Sequence, residues 1–258
     1  MDEHVAAVNV ILVCGHECPD PAYLQTVSPD WTVVAGGRAL TAAIDTARAA
    51  STDPVCVVPM TLGRDSGLVA DAARASSWAR RESNSPPLVL SSPLGTADHL
   101  VGWLRGRAAA ASSDALLVVA PTGSPFEDAE LFRIARLVRQ FGPSALVEVA
   151  LSGGDPDLDD GIDRCRRLGA RQIAVLPAWL GSGPALPSGV ADGGPLLTGA
   201  ALRELVEARV ADALHDLAHG HDGIADGLGA EHGHGFAHSH GPGGSHGHGH
   251  GHGHGHGH

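Results

Sequence analysis

The sequence predicts an α/β protein of two similar lobes, each a parallel sheet flanked by helices, followed by a disordered tail rich in histidine and glycine. Three observations predict this fold class. Short apolar runs alternate with longer helical patterns, which is typical of parallel sheets covered on both faces. The alternation occurs twice along the 258 residues. The segment 219–258 has almost nothing apolar to bury, so we expect it to be disordered.

The elements follow from the composition of each run. Runs of apolar and β-branched residues predict strands at 8–14, 32–35, 55–59 and 88–91 in the first half, and at 116–120, 145–150 and 173–176 in the second. Helical patterns lie between or after them, at 39–50, 68–81 and 98–110, and then at 127–140, 158–168 and 199–218.

The two halves also repeat in sequence, which predicts lobes at 1–111 and 112–218. "VVPMTLG" at 57–63 matches "VLPAWLG" at 175–181, and "PLGTADHLVGWLRGR" at 93–107 matches "PLLTGAALRELVEAR" at 195–209. The cleft between two such lobes is the expected ligand site. His16 to Pro59 is a shorter stretch than the matching Thr122 to Pro177, so we expect the first lobe to lack about one short element.

Composition and charge exclude several classes of protein. The formal net charge of −12 argues against nucleic-acid binding. The apolar run 5–14 is too short to span a membrane, and the chain begins without the basic region or cleavage site of a signal peptide. The four cysteines form neither a CxxC pair nor a disulfide framework. We therefore expect a cytoplasmic protein with no membrane contact.

Histidine is concentrated in the predicted tail, 219–258. The bias begins at His215, continues irregularly through "EHGHGFAHSHGPGG", and ends in "SHGHGHGHGHGHGH", a pattern unlike a purification tag. Neutral imidazoles on a glycine-rich chain can wrap several metal ions. The alternative is a solubilising tail with incidental metal affinity. The predicted metal ligands are His232, His234, His238, His240, His246, His248, His250, His252, His254, His256 and His258.

Two motifs resemble those of a known family. "VCGHECPDP" at 13–21 and "VVPMTLGRDSGLVAD" at 57–71 are similar to the strand-end motifs of the sirohydrochlorin chelatases, ATP-independent enzymes of cobalamin and siroheme synthesis. The second half adds "PTGSPFEDAE" at 121–130, and the resemblance covers roughly residues 8–210. Gly67 and Thr122 stand where the family pattern has histidines, so His16 is the one matching cleft histidine.

The resemblance implies two chelatase-like lobes that insert a divalent metal into a tetrapyrrole. The resemblance implies Co²⁺ as the inserted metal, with Ni²⁺, Fe²⁺ or Zn²⁺ as alternatives. His16 and Glu17 are the expected catalytic residues, with His16 and Cys18 as metal ligands. His16 has three candidate partners near it: Glu17, Cys18 and Asp65.

Arginines near the cleft would suit the carboxylates of sirohydrochlorin, and Arg38 and Arg64 are the candidates. His99 is expected to be a surface residue of a helix. The alternative function is a non-catalytic cobalt or nickel metallochaperone, or a storage protein, on a degenerate chelatase fold. A separate metal-delivery partner and a homo-oligomer both stay open.

Overall fold

The computed structural model describes residues 7–80, 85–144 and 146–230 and contains two four-stranded sheets. The strands are β1 (Asn9–Cys14), β2 (Thr32–Ala35), β3 (Val55–Met60), β4 (Leu88–Leu90), β5 (Ala115–Pro121), β6 (Leu146–Ser152), β7 (Ile173–Pro177) and β8 (Ala191–Asp192). The helices are α1 (Pro21–Val27), α2 (Arg38–Ala50), α3 (Ser66–Ala79), α4 (Ala97–Ala110), α5 (Pro125–Phe141), α6 (Leu158–Arg167), α7 (Gly199–Ala218) and α8 (Ile224–Leu228).

The two sheets have the same topology. Their strand orders are β2-β1-β3-β4 and β6-β5-β7-β8, and every pairing is parallel. All six residues of β3 are buried, as an apolar strand covered on both faces should be. The predicted fold class is confirmed.

The first lobe lacks no element between its first and third strands, so that prediction is wrong. A helix, a strand and a second helix separate β1 from β3, just as they separate β5 from β7. The difference lies in helix length, because α1 has 7 residues and α5 has 17. The sequence pattern missed α1, β8 and α8.

The repeated segments 93–107 and 195–209 exchange helices between the lobes. Helix α4 packs against α5 of the second lobe, and α7 packs against β3 and β4 of the first. Thr96 and Thr198 cap the two helices through their side chains. The guanidinium of Arg107 donates to the carbonyl of Gly193, and Arg209 donates from Nε to the carbonyl of Pro93 at 3.0 Å.

This exchange makes one hydrophobic core common to both lobes, because the apolar faces of α4 and α7 contribute to the same buried cluster. The predicted division of the chain falls between α4 and β5, and it remains a prediction. No helix within the described ranges is long and apolar enough to cross a membrane.

The chain continues as ordered structure beyond residue 218, so the predicted tail of 219–258 begins too early. Helix α8 packs against α3, and Ile224 is only 3% exposed. The amide of Leu90 donates to the carbonyl of Asp222 at 2.9 Å. Buried Gly227 also lies against Leu90 and Ala73, and Arg80 forms an ion pair with Asp222, so several contacts hold this short helix. The predicted histidine ligands from His232 onward lie outside the described residues.

Candidate metal centre

Three ligand-type side chains lie at the carboxyl ends of central strands, where open α/β sheets bind ligands. His16 follows β1, in a turn closed by the amide of Cys18 donating to the carbonyl of Gly15 at 3.1 Å. Asp65 follows β3 and caps α3, because its side chain accepts from the amide of Leu68. Glu127 lies in the first turn of α5, just after β5 of the second lobe.

The three side chains form a cluster across the boundary between the lobes. One ligand atom from each of His16, Asp65 and Glu127 lies within 4.8 Å of the others, and no other such group occurs among the described residues. His16 Nδ1 lies 3.1 Å from Asp65 Oδ2. Its Nε2 is buried and has no partner in the described structure. A carboxylate that holds one ring nitrogen and leaves the other free is a common arrangement around a metal-binding histidine.

Two glycines leave the space that this cluster needs. A Cβ at Gly15 would lie 2.1 Å from Asp65 Oδ2. A Cβ at Gly123 would lie 2.6 Å from Glu127 Oε2 and 3.2 Å from His16 Nε2. Any larger residue at either position would displace a ligand. The glycines of the Gly15-His16 and Gly123-Ser124 motifs are therefore explained by the lack of space for a side chain at these two positions.

The protonation states of His16 and Asp65 depend on each other. Burial lowers the pKa of His16, but the hydrogen bond and charge of Asp65, with the charges of Glu17 and Glu127, raise it above its usual value. Burial raises the pKa of Asp65, but the hydrogen bond from His16 and that from the Leu68 amide hold it below its usual value. The pair is an ion pair when His16 is protonated, and a metal must compete with that proton.

Glu17 and Cys18, the expected neighbours of His16 in the site, face away from it. Glu17 is fully buried, and its Oε2 accepts from the Thr61 hydroxyl and from the amide of Leu62 at 2.8 Å. Cys18 is also buried, and its Sγ lies 3.2 Å from Sγ of Cys14. The hydrogen bond with Cys14, together with burial, raises the pKa of the Cys18 thiol far above its usual value. The expectation that Cys18 binds metal with His16 is not met in this geometry.

The two candidate arginines have different environments. Arg38 is exposed in the first turn of α2, away from the cluster. The side chain of Arg64 is fully buried and donates from Nε to the carbonyl of Glu127 at 3.1 Å. Arg64 therefore lies beside the cluster, but it is enclosed by protein.

Neither His99 nor the two positions at which the family pattern has histidines, Thr122 and Gly67, supplies a ligand to the cluster. His99 is exposed, contacts Trp103 and accepts from the Thr96 amide at 3.2 Å, as a surface helical residue should. Thr122 is exposed and donates to the carbonyl of Ser152. A Cβ at Gly67 would meet only Asp65 Oδ1, at 3.7 Å. Gly67 thus stands beside the cluster without contributing to it.

Glu127 is the functional residue that the sequence analysis missed. Its signal was Ser124 followed three residues later by Glu127, a capping box that marks a helix start. One oxygen of Glu127 accepts from the Ser124 amide at 2.5 Å. The capping box fixes the side chain at the strand end, but only the docking of the lobes brings it to His16.

An acidic cavity adjoins the cluster. It has a volume of about 810 Å³ and is bounded by the loops after β3 and β4 and by α5, α7 and α8. Its acidic lining residues are Asp65, Asp98, Glu127, Glu130, Asp212, Asp216 and Asp226, against Arg64 and Arg133 as the basic ones. Both basic residues already face a carboxylate, Asp128 and Glu130 respectively. Such a lining attracts cations and disfavours a polycarboxylate.

The fold and cluster define a two-lobed α/β protein with a candidate metal centre between its lobes. No protein-family model matches the chain. A sirohydrochlorin cobaltochelatase of Priestia megaterium is 24% identical over 197 residues, which are 67% of this chain and 64% of that protein. The chain thus spans less than two thirds of that relative's length.

Solved chelatases share the fold. SirB from Bacillus subtilis with Fe³⁺ superposes with a TM-score of 0.53 at 11% identity, over 80% of this chain and 94% of that one. The sirohydrochlorin chelatase SirB from Bacillus subtilis subspecies spizizenii, in complex with cobalt, has a TM-score of 0.50 at 12% identity over the same shares. The predicted resemblance to the sirohydrochlorin chelatase family is confirmed.

Proposed function

We propose that this protein inserts a divalent metal, Co²⁺ before the alternatives, into sirohydrochlorin in cobalamin or siroheme synthesis. The observation that carries the proposal is the cluster of His16, Asp65 and Glu127, with His16 Nε2 unpartnered, between two lobes of chelatase fold. One imidazole and two carboxylates suit Co²⁺, Ni²⁺, Fe²⁺ or Zn²⁺. The similarity to a protein named sirohydrochlorin cobaltochelatase supports Co²⁺ as the first choice among them.

The chemistry requires metal transfer and the removal of two protons. Insertion of M²⁺ into the macrocycle releases two pyrrole N–H protons, so neutral imidazole and carboxylate are both useful acceptors. Neutral His16 holds the metal or takes a proton through Nε2, while Asp65 holds the ring through Nδ1. Glu127 supplies negative charge from the second lobe. As the metal leaves for the macrocycle, these groups are free to carry the displaced protons.

The histidine-rich segment 231–258 has a supporting role in the proposal. It stores metal, and Ala230, the residue to which it is attached, lines the acidic cavity. We place the reaction in the cytoplasm, since the four cysteines are free and buried, as suits a reducing compartment. A metal-delivery partner or a second copy of the chain is compatible with this scheme.

The test is an absorbance assay of the purified full-length chain with sirohydrochlorin and Co²⁺, compared with the uncatalysed reaction. The Co²⁺ concentration is set with a weak chelator, so that residues 231–258 do not change the free metal. We expect a rate above the uncatalysed one that is lost in His16→Ala. An uncatalysed rate with every metal tested would refute the chelatase proposal.

One observation favours the alternative, a metallochaperone or storage protein for cobalt or nickel. The acidic lining of the cavity beside the cluster suits a cation and disfavours the carboxylates of sirohydrochlorin. A chain of this kind would bind metal at the cluster without accelerating insertion. The same assay separates the two, together with a measurement of whether the metal-loaded chain delivers Co²⁺ to a chelatase supplied separately.

A further inference from the structure

Arg64 joins the two lobes at the cluster. It belongs to the loop after β3 of the first lobe, yet all the hydrogen bonds of its guanidinium go to the second lobe. Nε donates to the carbonyl of Glu127 at 3.1 Å, and Nη2 donates to the carbonyl of Pro121 at 3.4 Å and to Asp128 Oδ1 at 3.5 Å. The side chain is 0% exposed in the described structure, and its hydrogen bonds from Nε and Nη2 are directed at protein groups.

The loop that carries Arg64 is held from inside the first lobe by Glu17. The buried Oε2 of Glu17 accepts from the amide of Arg64 at 3.2 Å and from the hydroxyl of Thr61. The Thr61 oxygen in turn accepts from the amide of Asp65 at 3.3 Å. One buried carboxylate thus sets the backbone of both Arg64 and the ligand next to it.

We propose that Arg64 is a positioning residue that holds Glu127 of the second lobe within reach of His16 and Asp65 of the first. Asp65 follows Arg64 in the chain, and the guanidinium binds the backbone of Glu127 directly. Arg64 therefore fixes the distance between the carboxylates of Asp65 and Glu127. Asp128, which accepts from Arg64, also accepts from the amide of Gly123 at 2.9 Å, so the contact extends to the glycine beside His16.

Arginine suits this position because its planar fork can donate in several fixed directions at once. Lysine keeps the charge, but it cannot reach Glu127, Pro121 and Asp128 together from one ammonium with the same geometry. The proposal rests on the proposed function in that the cluster binds the substrate metal. It assigns Arg64 to the metal and not to the carboxylates of the tetrapyrrole.

The test is steady-state kinetics of full-length Arg64→Lys with buffered Co²⁺ and sirohydrochlorin. We expect the KM for Co²⁺ to rise and kcat to fall, together about tenfold or more, as for other residues that hold metal ligands in place. The KM for sirohydrochlorin should stay unchanged. Arg74→Met, which alters an exposed arginine paired with Asp71 on α3, is the matched control and should behave as wild type. A higher KM for sirohydrochlorin with an unchanged KM for Co²⁺ would overturn the proposal.

A binding measurement separates this proposal from the chelatase activity. The Co²⁺ absorption spectrum of His16→Ala is subtracted from that of wild type, which cancels the contribution of residues 231–258 and leaves the cluster. Titrated with buffered Co²⁺, Arg64→Lys should reach this difference spectrum only at about tenfold higher free Co²⁺ than wild type, even if wild type has no chelatase activity. Identical titration curves for Arg64→Lys and wild type would overturn the proposal.

A milder variant covers the case in which Arg64→Lys unfolds. Asp128→Asn keeps the shape of the side chain and removes the charge that Arg64 Nη2 faces. It should weaken the difference spectrum in the same direction, at an unchanged melting temperature. An undiminished spectrum in a folded Asp128→Asn, beside an unfolded Arg64→Lys, would make Arg64 a structural residue only and contradict the proposal.

Discussion

The two lobes share a strand order, but they contribute different candidate ligands to the cluster. His16 follows β1 and Asp65 follows β3, whereas Thr122 and Gly183 stand at the matching places of the second lobe. The second lobe contributes Glu127 instead, from the first turn of a helix that is longer than its counterpart. The comparison teaches that the duplicated fold holds one asymmetric candidate site, to which one lobe gives two candidate ligands and the other gives one.

The largest expected effect is that of His16→Ala. Loss of a general base or metal ligand should remove about 10²–10⁴-fold of any acceleration, because no other histidine of the described chain lies in the cluster. Thr122→Ala, at the matching position of the second lobe, is the control and should keep the wild-type rate. Equal rates for wild type and His16→Ala in the buffered Co²⁺ assay would remove His16 from the mechanism.

Gly123→Ala tests the contribution of the second lobe. The added Cβ would meet Glu127 Oε2 at 2.6 Å, Glu127 Cβ at 3.0 Å and His16 Nε2 at 3.2 Å, and the carboxylate end of Glu127 can rotate away. We therefore expect a loss of activity of about 10–100-fold with little change in melting temperature. Gly106→Ala in α4, where a Cβ meets nothing within 4 Å, should keep full activity and stabilise the helix by up to about 1 kcal/mol. Full activity of Gly123→Ala would show that Glu127 is dispensable.

Helix α8 packs against α3 and β4 of the first lobe, and its removal should destabilise the protein. A chain of residues 1–218 lacks the buried Ile224 and the bond between the Leu90 amide and Asp222. We expect the free energy of unfolding to fall by about 3 kcal/mol relative to residues 1–230, as for other large buried side chains. Urea unfolding of the two chains in the presence of a metal chelator measures this. Equal stabilities would mean that α8 contributes no packing energy.

The His16–Asp65 pair, which the second lobe lacks, should set the acid limb of the activity profile. Protonated His16 cannot bind metal through its ring, and its pKa lies above the usual value, so the rise of kcat/KM with pH should have its midpoint above the usual histidine value of about 6.5. Asp65→Asn removes the carboxylate that raises the pKa of His16 most, whereas burial still lowers this pKa. The acid limb should therefore move to lower pH. An unchanged limb, with free Co²⁺ buffered at each pH, would assign it to another group.

The same comparison explains how much could be predicted from the sequence. The apolar strand runs predict the sheets, because such a pattern is local, and the repeat at 93–107 and 195–209 predicts the matching helices α4 and α7. His16 is found through its motif, and Asp65 is one of three partners considered for it. Glu17 and Cys18 were favoured because they adjoin His16 in sequence, but the turn after β1 directs both side chains inward.

Long-range docking is what the sequence patterns could not provide. Glu127 reaches His16 only because the lobes pack, and Arg64 is buried for the same reason. An arginine in a loop carries no local sign of whether protein or solvent will surround it. The sequence repeat matches Arg107 with Arg209, but it does not show what either side chain contacts. Only the structure shows that these arginines take part in the exchange of α4 and α7.

The smallest expected effect on the fold is that of removing the histidine-rich residues 231–258. We expect residues 1–230 to unfold at the same temperature as the full chain without metal, since glycine and histidine offer no apolar face. The full chain should bind several more Ni²⁺, Co²⁺ or Zn²⁺ ions, with Ni²⁺ bound more tightly than Co²⁺, and release them on acidification. Because this order does not favour cobalt, any selectivity must come from the cluster or from metal supply.

Calorimetric titration compares the two chains, and equal stoichiometry would leave the segment with a solubilising role. If the two chains bind different numbers of metal ions, their insertion rates are compared at scarce and at plentiful Co²⁺. A delivery role predicts slower insertion by residues 1–230 at scarce Co²⁺ only. A storage role predicts equal rates at both concentrations.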